Sequence, residues 1–151
     1  MVHHVSSIKV AREGCFHRRW ERRVILYEHH GEVKEEDWKW PNFVPLEIAC
    51  RGSGELIVVP FAMDCLQRLR DFARRPLHIN SAYRSRWYNV RIGGADYSAH
   101  CALAPNVMAF DISLRNLSEK SFLPLIRKAG FAVQRPYDTF VHVDTGEERT
   151  W

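Results

Sequence analysis

The chain has 151 residues, 46% of them hydrophobic and 26% charged, which suits one compact domain and leaves too little length for two. No apolar run approaches the roughly 20 residues of a membrane helix, and the longest, Leu56 to Met63 and Val24 to Tyr27, are of strand length. A net charge of +4 and a pI near 9.0 draw the protein toward polyanions such as nucleic acid, phospholipid headgroups or an anionic cell wall, without choosing among them.

Residues 1–40 read as an N-terminal extension. They carry the basic run Arg18-Arg19-Trp20-Glu21-Arg22-Arg23, a strand-like Val24-Ile25-Leu26-Tyr27 and an acidic stretch from Glu32 to Asp37. The first thirty residues lack the apolar segment of a signal peptide, so synthesis in the cytoplasm is expected. Composition changes at Trp38-Lys39-Trp40-Pro41, and residues 41–151 read as the domain proper. Cys15, Cys50, Cys65 and Cys101 form no CxxC pair and are too sparse for a disulfide scaffold, which predicts free thiols.

Within the domain the clearest helix is Phe61 to Arg74. Phe61, Cys65, Leu66, Leu69, Phe72 and Ala73 recur at helical spacing, Arg75-Pro76 ends it, and its arginines form a solvated face. Three strands follow from alternation. In Leu77 to Arg84, His78, Asn80, Ala82 and Arg84 share one face, and Leu77, Ile79 and Tyr83 the other. In Val107 to Leu114, the apolar face is Met108, Phe110, Ile112 and Leu114, with Asp111 opposite beside Val107, Ala109 and Ser113. In Thr139 to Asp144, His142 and Asp144 emerge side by side. Between the last two strands, Ser118 or Ser121 caps a short helix that admits Pro124 only in its first turn and that Gly130 closes. This order predicts an α+β domain: a small, mainly antiparallel sheet with helices on its apolar face and polar residues gathered on the other. Gly93-Gly94-Ala95 is followed by no Lys-Ser/Thr, so it reads as a tight turn rather than a phosphate loop.

The polar face supplies the chemistry. Asp111 and His142 project from strands, and His100 follows Ala95-Asp96-Tyr97-Ser98 in a loop. Two imidazoles and one carboxylate leave the fourth position of a tetrahedral Zn²⁺ for water, the pattern of a hydrolytic rather than a structural site. Cys101, next to His100, reads as a small buried hydrophobe.

Several motifs then occur in order: Trp-Pro-Asn-Phe at 40–43, Cys-Arg-Gly-Ser-Gly-Glu-Leu at 50–56, Ser-Ala-Tyr-Arg-Ser at 81–85 and Tyr-Asn at 88–89. Gly-Gly-Ala at 93–95, Ser-Ala-His at 98–100, Ala-Phe-Asp-Ile at 109–112 and Phe-Val-His-Val-Asp-Thr-Gly at 140–146 follow. Together they resemble the zinc D-alanyl-D-alanine carboxypeptidase family, which includes phage endolysins and murein endopeptidases. The resemblance implies a fold of the hedgehog and D-alanyl-D-alanine-peptidase type and one Zn²⁺ held by His100, Asp111 and His142. It further implies that Arg84 steadies a substrate carboxylate or the oxyanion, that Ser98 and Tyr83 flank the substrate, and that a carboxylate moves the proton.

Two departures bear on mechanism. Many members of the family place a carboxylate three residues before the last histidine, where this chain has Thr139; Asp144, sharing a face with His142, is the favoured base, with Asp138 as alternative or Asp144 as a mere orienting group. Residues 101–110 also make a longer connection between His100 and Asp111 than the family pattern has, around Ala104-Pro105-Asn106. The function expected is hydrolysis of peptidoglycan stem peptides or cross-links at the bacterial wall by a monomer without nucleic-acid partners, the basic extension touching anionic envelope polymers. A non-catalytic wall-binding or virion relative is the alternative.

Overall fold

Alternation and helical spacing place the core on one side of the sheet, and the computed structural model, which describes residues 24–148, follows that division. The basic run Arg18–Arg23, and with it the expected contact to envelope polymers, lies outside the described residues, as does Cys15. Strand β1 (Ile25–Tyr27) pairs antiparallel with β2 (Leu56–Val58) to make a two-stranded sheet. The rest of the strands, β3 (Ile79–Ser81), β4 (Ala109–Ser113), β5 (Val133–Pro136) and β6 (Phe140–Asp144), form a four-stranded antiparallel sheet in the order β3-β4-β6-β5. The helices are α1 (Pro45–Ile48), α2 (Pro60–Ala73), α3 (Arg86–Arg91) and α4 (Glu119–Ala129). Because β1 pairs with β2, part of the 1–40 segment is built into the fold rather than standing apart from it.

Helix α2 begins on Pro60, whose fixed φ and missing N–H suit the first helical position, and ends at Arg74 in the left-handed region. Its buried stripe is Ala62, Met63, Cys65, Leu66 and Leu69; Phe61, expected in that stripe, is 49% exposed because it sits in the first turn on the outer side. Helix α4 closes on Gly130 at φ 108°, as its sequence predicts. Pro124 lies in the helix interior, not in its first turn. The position tolerates proline because Lys120, whose carbonyl loses its partner, and Pro124 are both exposed, so water replaces the missing hydrogen bond.

Helices α2 and α4 pack together on the apolar face of the larger sheet, where Phe110, Ile112, Val141 and Val143 join Met63, Leu66, Leu69, Phe122 and Ile126 in the core. Phe110 is fully buried and meets Phe131 edge to face with ring centroids 6.0 Å apart. Trp40 enters the same core and donates its indole N–H to Asp64 at 2.9 Å, so the change of composition at residues 38–41 is where the chain joins α2. Cys50, Cys65 and Cys101 are buried free thiols.

The first predicted strand needs correction. Only Ile79–Ser81 is strand, and a register shift between Ile79 and Ser81 pairs Ile79 with Ile112 but Ser81 with Asp111. Strict alternation would set Ser81 beside Ile79 on the core side; the irregularity turns it to the other face. Past it, Ala82 and Tyr83 are buried in the core, so Ala82 and Arg84 do not share one exposed strand face. Phe110→Ala removes the largest buried side chain of the central strand and should cost about 3–5 kcal/mol, read as a lower urea midpoint with an unchanged slope.

Candidate metal centre

Antiparallel register decides which side chains meet, because directly opposed residues project to the same side. Asp111 of β4 opposes Ser81 of β3 on one side and His142 of β6 on the other, and His142 opposes Arg135 of β5. Ser81, Asp111, His142 and Arg135 therefore form one row across all four strands, on the face away from α2 and α4. His100 reaches the row from the short 3-10 turn Ala99–Cys101, capped by Ser98, whose hydroxyl accepts the His100 backbone N–H at 3.3 Å.

The loop bearing His100 is tied to the end of β3. The Arg84 backbone N–H donates to the His100 carbonyl at 2.9 Å, and His100 Nδ1 lies 2.6 Å from the Ala82 carbonyl oxygen. The turn before it depends on buried Asn89, which donates through Nδ2 to the Ala95 carbonyl at 2.8 Å. A Cβ on Gly94 would come within 2.1 Å of Asn89 Oδ1, so only glycine fits there.

The long 101–110 connection does not displace Asp111. Thr145 fastens its return: the Thr145 hydroxyl donates to the Asn106 carbonyl and accepts the Met108 N–H at 3.2 Å. Asp111 Oδ1 then stands 3.1 Å from His100 Nε2 and 3.0 Å from His142 Nδ1, and the three ligand atoms all lie within 4.8 Å of one another.

The proton bookkeeping of these groups is compatible with a bound cation. A carbonyl oxygen only accepts, so His100 Nδ1 carries the proton it directs at Ala82. A carboxylate likewise only accepts, so His142 Nε2 carries the proton it directs at Asp144 Oδ2, 3.0 Å away. In those neutral tautomers each imidazole would turn a lone pair toward Asp111 Oδ1, the arrangement a metal ion needs; without a metal, a proton on an inner nitrogen donates to Asp111 instead. Burial resists ionising Asp111, yet the hydrogen bonds and charges of His100 and His142 hold it well below the usual carboxylate range. Burial also pulls His142 down, but hydrogen bonds to Asp111 and Asp144 and their charges outweigh it, and its pKa is raised. For His100 burial wins and the pKa is lowered, so a proton there is disfavoured. A divalent metal ion satisfies all three acceptors at once, and the donor set is that of an open site.

The surrounding residues occupy places that sequence alone did not specify. Arg84 donates through Nη2 to Asp111 Oδ2 at 2.9 Å and through Nε to Ser81 Oγ at 2.8 Å, so it buttresses the metal-facing carboxylate from behind. Asp144, expected as the base, is fully buried; Oδ2 accepts from His142 and Oδ1 accepts the Gly146 N–H at 2.8 Å. That is the placement of an orienting carboxylate. Asp138 is exposed in the turn joining β5 and β6, where the Tyr137 N–H donates to the Phe140 carbonyl. Ser98 is half-buried at its cap, whereas Tyr83 lies 8% exposed against the core, with burial pushing its hydroxyl up to about 12.

Arg135, Ser81, Asn89 and Thr145 went unrecognised from sequence. The signal for β5 was available in the apolar Phe131 and Val133 after the helix-closing Gly130, but four residues ending in proline are a weak strand pattern.

An α+β domain of two antiparallel sheets, carrying a His–Asp–His cluster able to hold a metal, defines the class. The family model for Peptidase M15 matches residues 41–144, and the chain belongs to that family of zinc D-alanyl-D-alanine carboxypeptidase-type metallopeptidases. No curated protein and no solved structure matches the chain. Among the described residues no helix is long and apolar enough to cross a membrane.

Metal analysis should find one ion per chain, and metal supplied at a hundredfold over Kd should stabilise the fold by about 2.7 kcal/mol relative to chelated protein, seen as a rise in Tm. Asp144→Asn should weaken metal affinity about 10- to 100-fold, measured by competition with a chelator.

Proposed function

We propose that this protein is a zinc peptidase that hydrolyses peptide bonds in peptidoglycan, acting on stem peptides or their cross-links at the bacterial wall. The observation that carries the reading is the convergence of His100 Nε2, His142 Nδ1 and Asp111 Oδ1 within 4.8 Å, in a chain of the peptidase M15 family. Zinc suits two imidazoles and one carboxylate with a position left open, and when bound it supplies Lewis-acid polarisation of the scissile carbonyl and an acidified water.

The chain's own residues have distinct tasks in this reading. With a metal bound, His100 and His142 would present their lone pairs inward, Ala82 and Asp144 holding the outer N–H groups. Arg84 aims Asp111 through its 2.9 Å ion pair, and the remaining N–H groups of its guanidinium, whose side chain is 16% exposed, would steady negative charge on a tetrahedral carbonyl oxygen. Asp144 is a positioning residue. Asp138 is the carboxylate at hand for proton transfer, being exposed on the turn that leads directly into β6 and His142.

The non-catalytic alternative rests on Thr139, which stands where many relatives have a carboxylate. Incubating zinc-loaded protein with purified muropeptides and weighing the products by mass spectrometry separates the two. Cleavage is expected and should be lost in His142→Ala; intact muropeptides from every wall type would refute the peptidase reading. Asp138→Asn should lower kcat about 10²- to 10⁴-fold while leaving zinc content at one per chain.

A further inference from the structure

Helix α3 turns its apolar side chains away from the core. Its inward side is taken by Tyr88, packed so closely on the turn after Cys50 that a Cβ on Gly52 would lie 2.1 Å from the Tyr88 ring, and by buried Asn89, bonded to the Ala95 carbonyl. Successive residues of a helix step round its axis by about 100°. The outward side therefore carries, in angular order, Arg86, Val90, Trp87 and Arg91: two apolar side chains in the middle and a guanidinium on either flank. All four line one open groove of about 580 Å³.

Exposure on this face runs against the ordinary distribution of apolar residues. Trp87 is 59% exposed and Val90 71%, whereas large apolar side chains that share a helix face are ordinarily buried together. Such a patch, rimmed by polar groups, marks a surface that meets something else. Arg91 lays its guanidinium 5.3 Å from the centre of the Trp87 ring, so its stem runs along the apolar surface while its charge stays at the rim. None of the four lining residues is acidic. The next turn adds Ile92 and Tyr97, both exposed, with Asp96 as its acid. On the opposite side of the helix Asn89 Oδ1 stands 3.5 Å from Arg84 Nη1, so the groove looks away from the metal centre.

We propose that this outward face of α3 docks on an anionic phospholipid bilayer, with Val90 and Trp87 entering the acyl boundary and Arg86 and Arg91 pairing with headgroup phosphates. A bilayer surface is apolar within and negative without, the order in which the face presents its side chains. Both flanks carry the same sign, which matches a continuous negative layer rather than the mixed charges of a folded partner. The net charge of +4 draws the whole chain toward the same layer. Two apolar side chains and two guanidiniums hold reversibly, so the contact is peripheral. Nothing in this docking depends on the peptidase reading.

Full-length protein mixed with phosphatidylcholine vesicles, with or without phosphatidylglycerol, tests this by sedimentation. A parallel set of vesicles carries bromine on the acyl chains, which quenches a tryptophan that enters them. Wild type should prefer the anionic vesicles and be quenched by the brominated ones. Arg86→Gln together with Arg91→Gln should lower partition onto anionic vesicles about 30-fold, and Val90→Asp about 10-fold. Trp87→Phe should still bind but lose most of the quenching, which places the contact at α3; unchanged melting of each variant would exclude misfolding. No binding by wild type, equal binding to both vesicle types, or binding and quenching that persist in all three variants overturns the proposal, the last by assigning the contact to another basic surface. A dimer in light scattering that Val90→Asp dissolves, without vesicle binding by wild type, overturns it as well and gives the face to a second copy of the chain.

Discussion

The approach of Asp111 Oδ1 to two imidazole nitrogens, at 3.0 and 3.1 Å, is the constraint around which the site is arranged. At those distances either a proton on the nitrogen donates to the carboxylate or a metal ion takes the lone pairs in its place. The tautomers that a metal would need are favoured from outside, by the Ala82 carbonyl for His100 and the Asp144 carboxylate for His142. The candidate ligands are therefore held by groups outside the cluster, among them Asp144, fully buried with both oxygens engaged.

The same two strands that aim Asp111 and His142 outward send Phe110, Ile112, Val141 and Val143 into the core. Burial of that face fixes the register of β4 against β6, since a slip of one residue would turn the two core side chains of the slipped strand outward. Packing energy from α2 and α4 is in this way converted into positional accuracy at the metal centre. The long 101–110 connection is compatible with that accuracy because Thr145, just beyond β6, takes hold of both Asn106 and Met108.

Charge along the row is ordered as well. Arg84 stands behind Asp111, and Arg135 stands beyond His142, with the metal-facing atoms between them. One guanidinium compensates the Asp111 carboxylate inside the protein; the other lies on the edge strand over the Tyr137 ring.

Much of the site was legible in the sequence. The identities of His100, Asp111 and His142, the outward face of Asp111 among Ala109 and Ser113, and the pairing of His142 with Asp144 all follow from short motifs and a period of two, which are local properties of the chain. The α2 stripe at Cys65, Leu66 and Leu69 and the Gly130 stop followed for the same reason. What the tertiary structure alone decided is non-local. The shifted register at Ile79 and Ser81, the strand Val133–Pro136, the anchoring of Asn106 by Thr145, the commitment of Arg84 to Asp111 and the enclosure of Asp144 each depend on partners far apart in sequence or on packing above the residue. Residue type and spacing determine which groups can bind a metal; which oxygen faces which nitrogen is decided by strand register and burial, and those exist only once the chain has folded.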